Sequence, residues 1–291
     1  MLVIGGPASN GLEDSIGKSL HARSVKAVSK LFPDGESYVK MPEGIEGEDV
    51  VLVQSTYSPQ DKHIMELLLM ADTARELGAK SITAVVPYMA YLRQDRRFLD
   101  GEAISSQAVL RLINSVGVSS LAVVQPHKST PFDAFNGRVC IVDPVPVQAK
   151  AISKILNDPI VLAPDKGGVA RAKELAEILG CKYSHIDKVR DSITWEVKIE
   201  APLVGSFKGK DVVIIDDIIS TGGTIAQASR EVLSKGAEKV VAVATHLVMA
   251  SGAKDRMKGA GVSEIFGTNT VPYDGAKILD IGGQIATSLK A

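Results

Sequence analysis

Short β-branched runs alternate with amphipathic stretches along almost the whole chain. In the first half the pattern predicts strands at 2–4, 25–28, 50–54, 82–86 and 121–125, with helices over 12–21, 61–77 and 104–116. The clearest helix is 61–77, where Ile64, Leu67, Leu68, Ala71 and Ala74 share one face and Gly78 supplies a stop. The second half repeats the rhythm, with strands at 140–142, 160–163, 183–186, 212–215, 240–246 and 264–266. Its helices are expected over 145–156, up to Leu179, through Ala226, Val232 and Leu233, near Ala253, and from about Ile278 to 291. Such alternation predicts an α/β fold: two doubly wound domains with parallel sheets. Prolines 144 and 146 interrupt the pattern, which sets the domains at 1–143 and 144–277.

Three segments break the rhythm. LFPDGESYVKMP at 31–42 is rich in turn formers, and PYMAYLRQDRRFLDGE at 87–102 is long and polar. The stretch 187–210 is too long for a tight connection and reads as a hairpin or a mobile flap.

Bulk properties exclude several classes. With 33 Lys and Arg against 34 Asp and Glu, the net charge of −1 provides no field for nucleic acid or an anionic membrane. Aromatic residues make up 4%, too few for a base-stacking platform. Cys140 and Cys181 lack metal or redox spacing, which suits a reducing compartment. The opening MLVIGGPASNG has no basic leader, and no apolar run approaches the roughly 20 residues of a membrane helix. A soluble cytoplasmic protein is expected, so any anion must be held by local groups.

The stretch 210–229, KDVVIIDDIISTGGTIAQAS, provides them. Val212, Val213, Ile214 and Ile215 read as a strand buried on both faces, ending at Asp216 and Asp217. Ser220, Thr221, Gly222, Gly223 and Thr224 then lead into a helix. Glycines allow a ligand close to the main chain, and the amides of a helix N-terminus favour an anion. Carboxylates accept hydrogen bonds from sugar hydroxyls and hold a hard cation such as Mg²⁺. An anion cradle beside carboxylates suits a phosphorylated sugar. A plain capped turn with two solvated aspartates is the simpler alternative. This stretch resembles the phosphoribosyl-pyrophosphate signature of the type I phosphoribosyltransferase fold.

Other candidates also follow strands, where open α/β sheets bind ligands. FPDGE at 32–36 sets an aromatic ring beside two carboxylates, and YLRQDRR at 91–97 carries forked guanidiniums suited to polyphosphate. His127 follows the strand at 121–125, and Asp165 precedes two glycines in PDKGG at 164–168. Lys188 and Arg190, two apart in HIDKVR at 185–190, would face one way on an extended segment.

Taken in order, these motifs resemble the ribose-phosphate pyrophosphokinases over nearly the whole chain. The resemblance implies transfer of diphosphate from ATP to ribose 5-phosphate, with Mg²⁺, in a homo-oligomer whose nucleotide site is shared between subunits. It implies that Phe32, Asp34 and Glu36 hold a neighbour's adenine, and that Arg93, Gln94 and Arg96 bind the nucleotide. His127 and Asp165 would ligate the nucleotide-side Mg²⁺, and Asp216 would lie near a second. Asp216 and Asp217 would meet the ribose hydroxyls, and Ser220–Thr224 the 5-phosphate. Lys188 and Arg190 would be catalytic, and the last helix would return to the first domain. Two departures stand out: many relatives carry aspartate in place of Ser220, and KSTPFDAF at 128–135 lacks the alanine- and glutamine-containing pattern of the ADP-inhibited enzymes. A phosphoribosyltransferase and a non-catalytic regulatory homologue are the alternatives.

Overall fold

The structure, a computed structural model, describes residues 1–190, 197–201 and 206–290, with 187–190 and 197–201 described by their backbone. Two compact units emerge: Met1–Asp143 with Asn269–Val271 and Asp280–Ala291, and Pro144–Thr268 with Pro272–Leu279.

The first unit contains β1 (Leu2–Gly5), α1 (Leu12–Leu20), β2 (Arg23–Lys26), β3 (Val28–Leu31), β4 (Ser37–Lys40), β5 (Asp49–Val53), α2 (Gln60–Glu76), β6 (Ser81–Val86), α3 (Ser105–Ser115), β7 (Ser120–Val124) and β8 (Arg138–Val142). The second has α4 (Val145–Ile152), β9 (Ile160–Ala163), α5 (Val169–Leu179), β10 (Lys182–His185), β11 (Asp187–Arg190), β12 (Val197–Ala201), β13 (Asp211–Ile219), α6 (Gly223–Ser234), β14 (Lys239–Leu247), α7 (Ala253–Gly259), β15 (Val262–Thr268) and β16 (Lys277–Leu279). The last helix, α8 (Gly282–Lys290), belongs to the first unit.

Each unit is built on a six-stranded parallel sheet, in the orders β2-β1-β5-β6-β7-β8 and β10-β9-β13-β14-β15-β16. The two orders are the same when strands are counted within each sheet. Direction of winding reverses between β1 and β5 and between β9 and β13, which opens a crevice at the carboxyl end of each pair. The expected class of parallel α/β fold is therefore what the chain forms. On β13, Val212 and Ile214 pack with Ile225, Ala228 and Val232 of α6, while Val213 and Ile215 face Ala149, Ala172 and Leu175 of α4 and α5. All four strand residues are fully buried, and each such side chain stabilises by roughly 1.5–3 kcal/mol.

Three local expectations need correction. Residues 28–40 form an antiparallel hairpin, with Val28 opposite Lys40 and FPDGE as its turn; Gly35, at φ +96°, takes the left-handed position there. Alternating short polar strands hid it. Strand β13 continues four residues beyond Ile215, because Ile218 and Ile219 extend the β-branched run and the equally long β14 pairs them (Ile218 with His246). The helix expected from Ile278 begins only at Gly282, since Lys277–Leu279 pair with β15 and the Asp280 carboxylate accepts from the Gly282 amide at 2.9 Å. Helix α8 then lies on α1, where Ser15 Oγ donates to Asp280 and Lys290 Nζ to the Ser19 carbonyl. Gly282 permits this approach, as a Cβ there would overlap Ser15.

Candidate active site

Strand β9 pairs β13 only as far as Ile214, whereas β14 follows β13 to Ile219. Asp216 and Asp217 thus lie in a strand supported on one side and open on the β9 side. Each carboxylate accepts from the following amide, Asp217 N to Asp216 Oδ1 at 2.9 Å and Ile218 N to Asp217 Oδ1 at 3.0 Å. Asp165, just past β9, accepts from Gly168 N at 3.2 Å through one oxygen.

The loop after β13 turns its carbonyls away from its mouth. Met249 N donates to the Ile219 carbonyl, Ala250 N to Ser220, an Arg256 guanidinium to Thr221, and Ala226 N to Gly222. Half-buried Ser220 precedes exposed Thr221, buried Gly222, and exposed Thr224. Gly222, at φ +72°, starts α6 without a side-chain cap. The amides of Gly223, Thr224 and Ile225 precede the first intrahelical bond, the arrangement that accepts a phosphate.

Charge is unbalanced here. Burial, reinforced by the adjoining Asp217 carboxyl, pushes the Asp216 carboxyl well above the usual carboxylate range; Arg171 opposes the shift and Asp165 adds to it. The carboxylates outnumber the one guanidinium, Arg171, that faces them, and their oxygens suit Mg²⁺. Among the described residues no three His, Cys, Asp or Glu side chains are placed to hold a metal by themselves. Magnesium commonly binds through one or two carboxylates and completes its shell with waters and substrate phosphates.

In the first unit, Phe32, Asp34 and Glu36 are exposed on the β3–β4 turn. Phe32 N donates to the Glu36 carbonyl at 2.8 Å, Glu36 N donates to Asp34 Oδ1 at 3.2 Å, and the Phe32 ring meets Tyr38 edge-on at 5.8 Å. Arg93 and Arg96 are exposed and Gln94 is half-buried on the loop after β6. Exposed His127 follows β7, and its neighbour Lys128 donates to Asp95 at 2.9 Å, holding that carboxyl below its usual range. The Lys128 bond ties the arginine loop to the histidine segment. Lys188 and Arg190 fall on β11, which pairs antiparallel with β12; their side chains lie outside the described residues.

Residues 1–117 match the family model for the N-terminal domain of ribose phosphate pyrophosphokinase, and 147–274 match the phosphoribosyl transferase domain. A ribose-phosphate pyrophosphokinase of Saccharolobus solfataricus is 51% identical, covering 99% of this chain and 100% of its own. One from Pyrococcus furiosus is 45% identical over 96% of each. The chain belongs to the ribose-phosphate pyrophosphokinase family. The crystal structure of phosphoribosylpyrophosphate synthetase from Mycobacterium smegmatis superposes with a TM-score of 0.88 at 30% identity, over 100% of this chain and 97% of that one.

The two sheets of this pyrophosphokinase-family chain explain why only one carries the acidic pair. Leu52 and Ile214 hold matching registers, so Gln54 and Ser55 stand where Asp216 and Asp217 do. Gln54 Oε1 accepts from Ala8 N at 2.9 Å and Ser55 Oγ donates to the Thr270 carbonyl at 2.6 Å, so these side chains fill the first crevice.

Sequence reading missed Glu102, the organiser of the arginine loop. Its carboxylate accepts from the amides of Phe98 and Leu99 at 2.8 and 3.0 Å, which hold it below its usual range, and from Gln94 Nε2 at 3.2 Å. An acid closing a glycine-containing turn, LDGE, was the available signal. Glu102→Ala should raise the Michaelis constant for ATP about tenfold, because Gln94 and the backbone of the arginine loop lose the carboxylate that holds them. The constant for ribose 5-phosphate should stay within about twofold of wild type. Steady-state kinetics with each substrate varied checks this, and equal changes in both would detach the loop from the nucleotide.

Proposed function

We propose that this chain transfers the β,γ-diphosphoryl group of ATP to the anomeric hydroxyl of ribose 5-phosphate, giving phosphoribosyl pyrophosphate and AMP. The carrying observation is that the ribose-phosphate cradle of the second unit is accompanied by a pyrophosphokinase N-terminal domain with the FPDGE and RQDR motifs. A phosphoribosyltransferase would leave both motifs without use. A regulatory homologue that had lost its chemistry would not need His127, Asp165, Lys188 and Arg190 together.

In this reading the amides of residues 223–225 and the hydroxyls of Ser220, Thr221 and Thr224 take the 5-phosphate. Asp216 and Asp217 accept from the ribose hydroxyls and orient the anomeric oxygen. Arg93, Gln94 and Arg96 bind the nucleotide, and Lys188 and Arg190 meet the transferring group. His127 and Asp165 would hold the nucleotide-side magnesium and Asp216 would lie near a second; bound there, the metal would neutralise phosphate charge. In-line transfer of this kind depends on positioning and charge compensation.

The nucleotide site is completed by a second copy of the chain, through Phe32, Asp34 and Glu36. Support comes from the apolar surface around that turn: Val28, Leu31, Phe32, Met65 and Leu69 are all exposed, beside a hollow of about 550 Å³ between the hairpin and α2. Free Cys140 and Cys181 fit the reducing cytoplasm, and among the described residues no helix is long and apolar enough to cross a membrane.

Purified protein given ATP, Mg²⁺ and ribose 5-phosphate should form AMP stoichiometrically with phosphoribosyl pyrophosphate; no AMP, or release of pyrophosphate only when a base is supplied, would refute the reading. Mixing inactive Phe32→Ala and Arg93→Ala proteins should restore part of the activity through hybrid sites once subunits exchange. Full activity in a species that light scattering shows to be monomeric would exclude the shared site.

A further inference from the structure

Arg171 occupies the first turn of α5, where the helix dipole opposes a cation and no acidic residue of that turn compensates. Its side chain is largely buried, 14% exposed, and its Nε has no hydrogen-bond partner. The fork faces the acidic pair at a distance: Nη1 lies 3.7 Å from Asp216 Oδ1, and Nη2 lies 3.8 Å from Asp217 Oδ2. A guanidinium placed to cement two carboxylates closes to about 2.7–2.9 Å. Here it lies near both without bonding closely to either.

We infer that Arg171 is a positioning residue: it stands in for a divalent cation beside Asp216 and Asp217, and turns its fork to a phosphate oxygen of the substrate once the cation occupies those carboxylates. The inference rests on the magnesium placement proposed above. A buried guanidinium deprived of its carboxylates must find another anion, and phosphate matches its planar fork. Arg171 therefore couples the two events. Before the metal arrives it limits repulsion within the acidic pair; afterwards it adds a donor to the phosphate that the metal also contacts. The phosphate belongs either to ribose 5-phosphate or to the nucleotide, and the two share this chemistry.

Binding of Mn²⁺ to the protein alone, followed by electron paramagnetic resonance, tests it. Arg171→Gln should bind Mn²⁺ about tenfold more tightly, because the competing cation is gone; Arg171→Lys should stay near wild type. Mn²⁺ should strengthen ribose 5-phosphate or a non-hydrolysable ATP analogue in the wild type, and no longer do so for that ligand in Arg171→Gln. The ligand that loses the enhancement identifies the phosphate concerned. A merely structural arginine would leave Mn²⁺ affinity unchanged or weaken it, and either result overturns the inference. Asp216→Asn separates the two levels. If it keeps wild-type Mn²⁺ binding, the metal placement and the inference both fall; if it loses Mn²⁺ while Arg171→Gln binds as wild type, the inference alone fails. Should Arg171→Gln not fold, nitrogen NMR of the wild type decides. The Arg171 Nε resonance must shift on adding Mg²⁺ and again on adding the phosphate ligand, and a resonance indifferent to Mg²⁺ refutes the exchange.

Discussion

Lys188→Ala is expected to lower the turnover number by about 10²–10⁴ while each Michaelis constant moves only several-fold. Charge on the β-phosphoryl oxygens and on the departing AMP oxygen is greatest in the transition state. A cation meeting those oxygens there contributes most at that moment, and its removal appears in turnover rather than in substrate binding. The extended backbone of β11 pairs antiparallel with β12, and Lys188 and Arg190 occupy alternate positions of the strand. Arg190→Ala should therefore behave like Lys188→Ala. In the proposed mechanism the two meet one developing charge, so the double variant should be little worse than the worse single. Near-wild-type steady-state kinetics for Lys188→Ala would make the pair ordinary surface charges and move the catalytic cation elsewhere.

Adjacent glycines in the loop after β13 should differ in how stability responds to alanine. Gly222 has φ +72°, and a Cβ on it would lie 2.9 Å from the Ala253 carbonyl and 3.0 Å from Met257 Cγ. Left-handed backbone disfavours alanine by roughly 1–2 kcal/mol, and the contact with the α7 backbone adds to that. Gly222→Ala should lower the melting temperature and shift the first turn of α6, weakening ribose 5-phosphate by about 10–100-fold. At Gly223 the nearest atom to a new Cβ is Thr221 Oγ1 at 3.7 Å, so the protein accommodates a methyl there. Gly223→Ala should melt at or above the wild-type temperature and still lose affinity for ribose 5-phosphate, because the methyl takes space at the mouth of the cradle. Affinity for ATP should change little in either variant. Thermal denaturation and calorimetric titration together measure this. Wild-type ribose 5-phosphate binding by Gly223→Ala would move the 5-phosphate off the loop.

What the sequence revealed followed from how strongly each segment was determined locally. The buried run at 212–215 could be read because apolar positions on both faces have one common explanation, a central parallel strand. Its true end was hidden, because Asp216 and Asp217 look like a boundary when their neighbour β14 is unknown. The β3–β4 hairpin and β16 are short edge elements of mixed polarity, which periodicity cannot separate from loops. Motif residues could be named singly, but the groups that organise them could not. Glu102 and Lys128 act through bonds formed only after the chain folds, and Arg171 meets Asp216 across 45 residues of sequence. A cation in the first turn of a helix was the one clue that Arg171 left in the sequence.

The return of α8 to the first unit bears on how the protein is born. Ribosomes deliver domains in order, and an N-terminal domain ordinarily completes its fold while the rest is still being made. Here the surface of α1 that receives Gly282 and Lys290 waits until all of the second unit has been translated. At about 5–20 residues per second that delay is roughly 7–30 s, long compared with the folding of a small domain. During this interval the first unit has emerged yet lacks its last helix, while the second unit can close. Stop codons shortly before 282 should therefore leave the later-made half soundly folded and the earlier-made half exposed to chaperones and proteases.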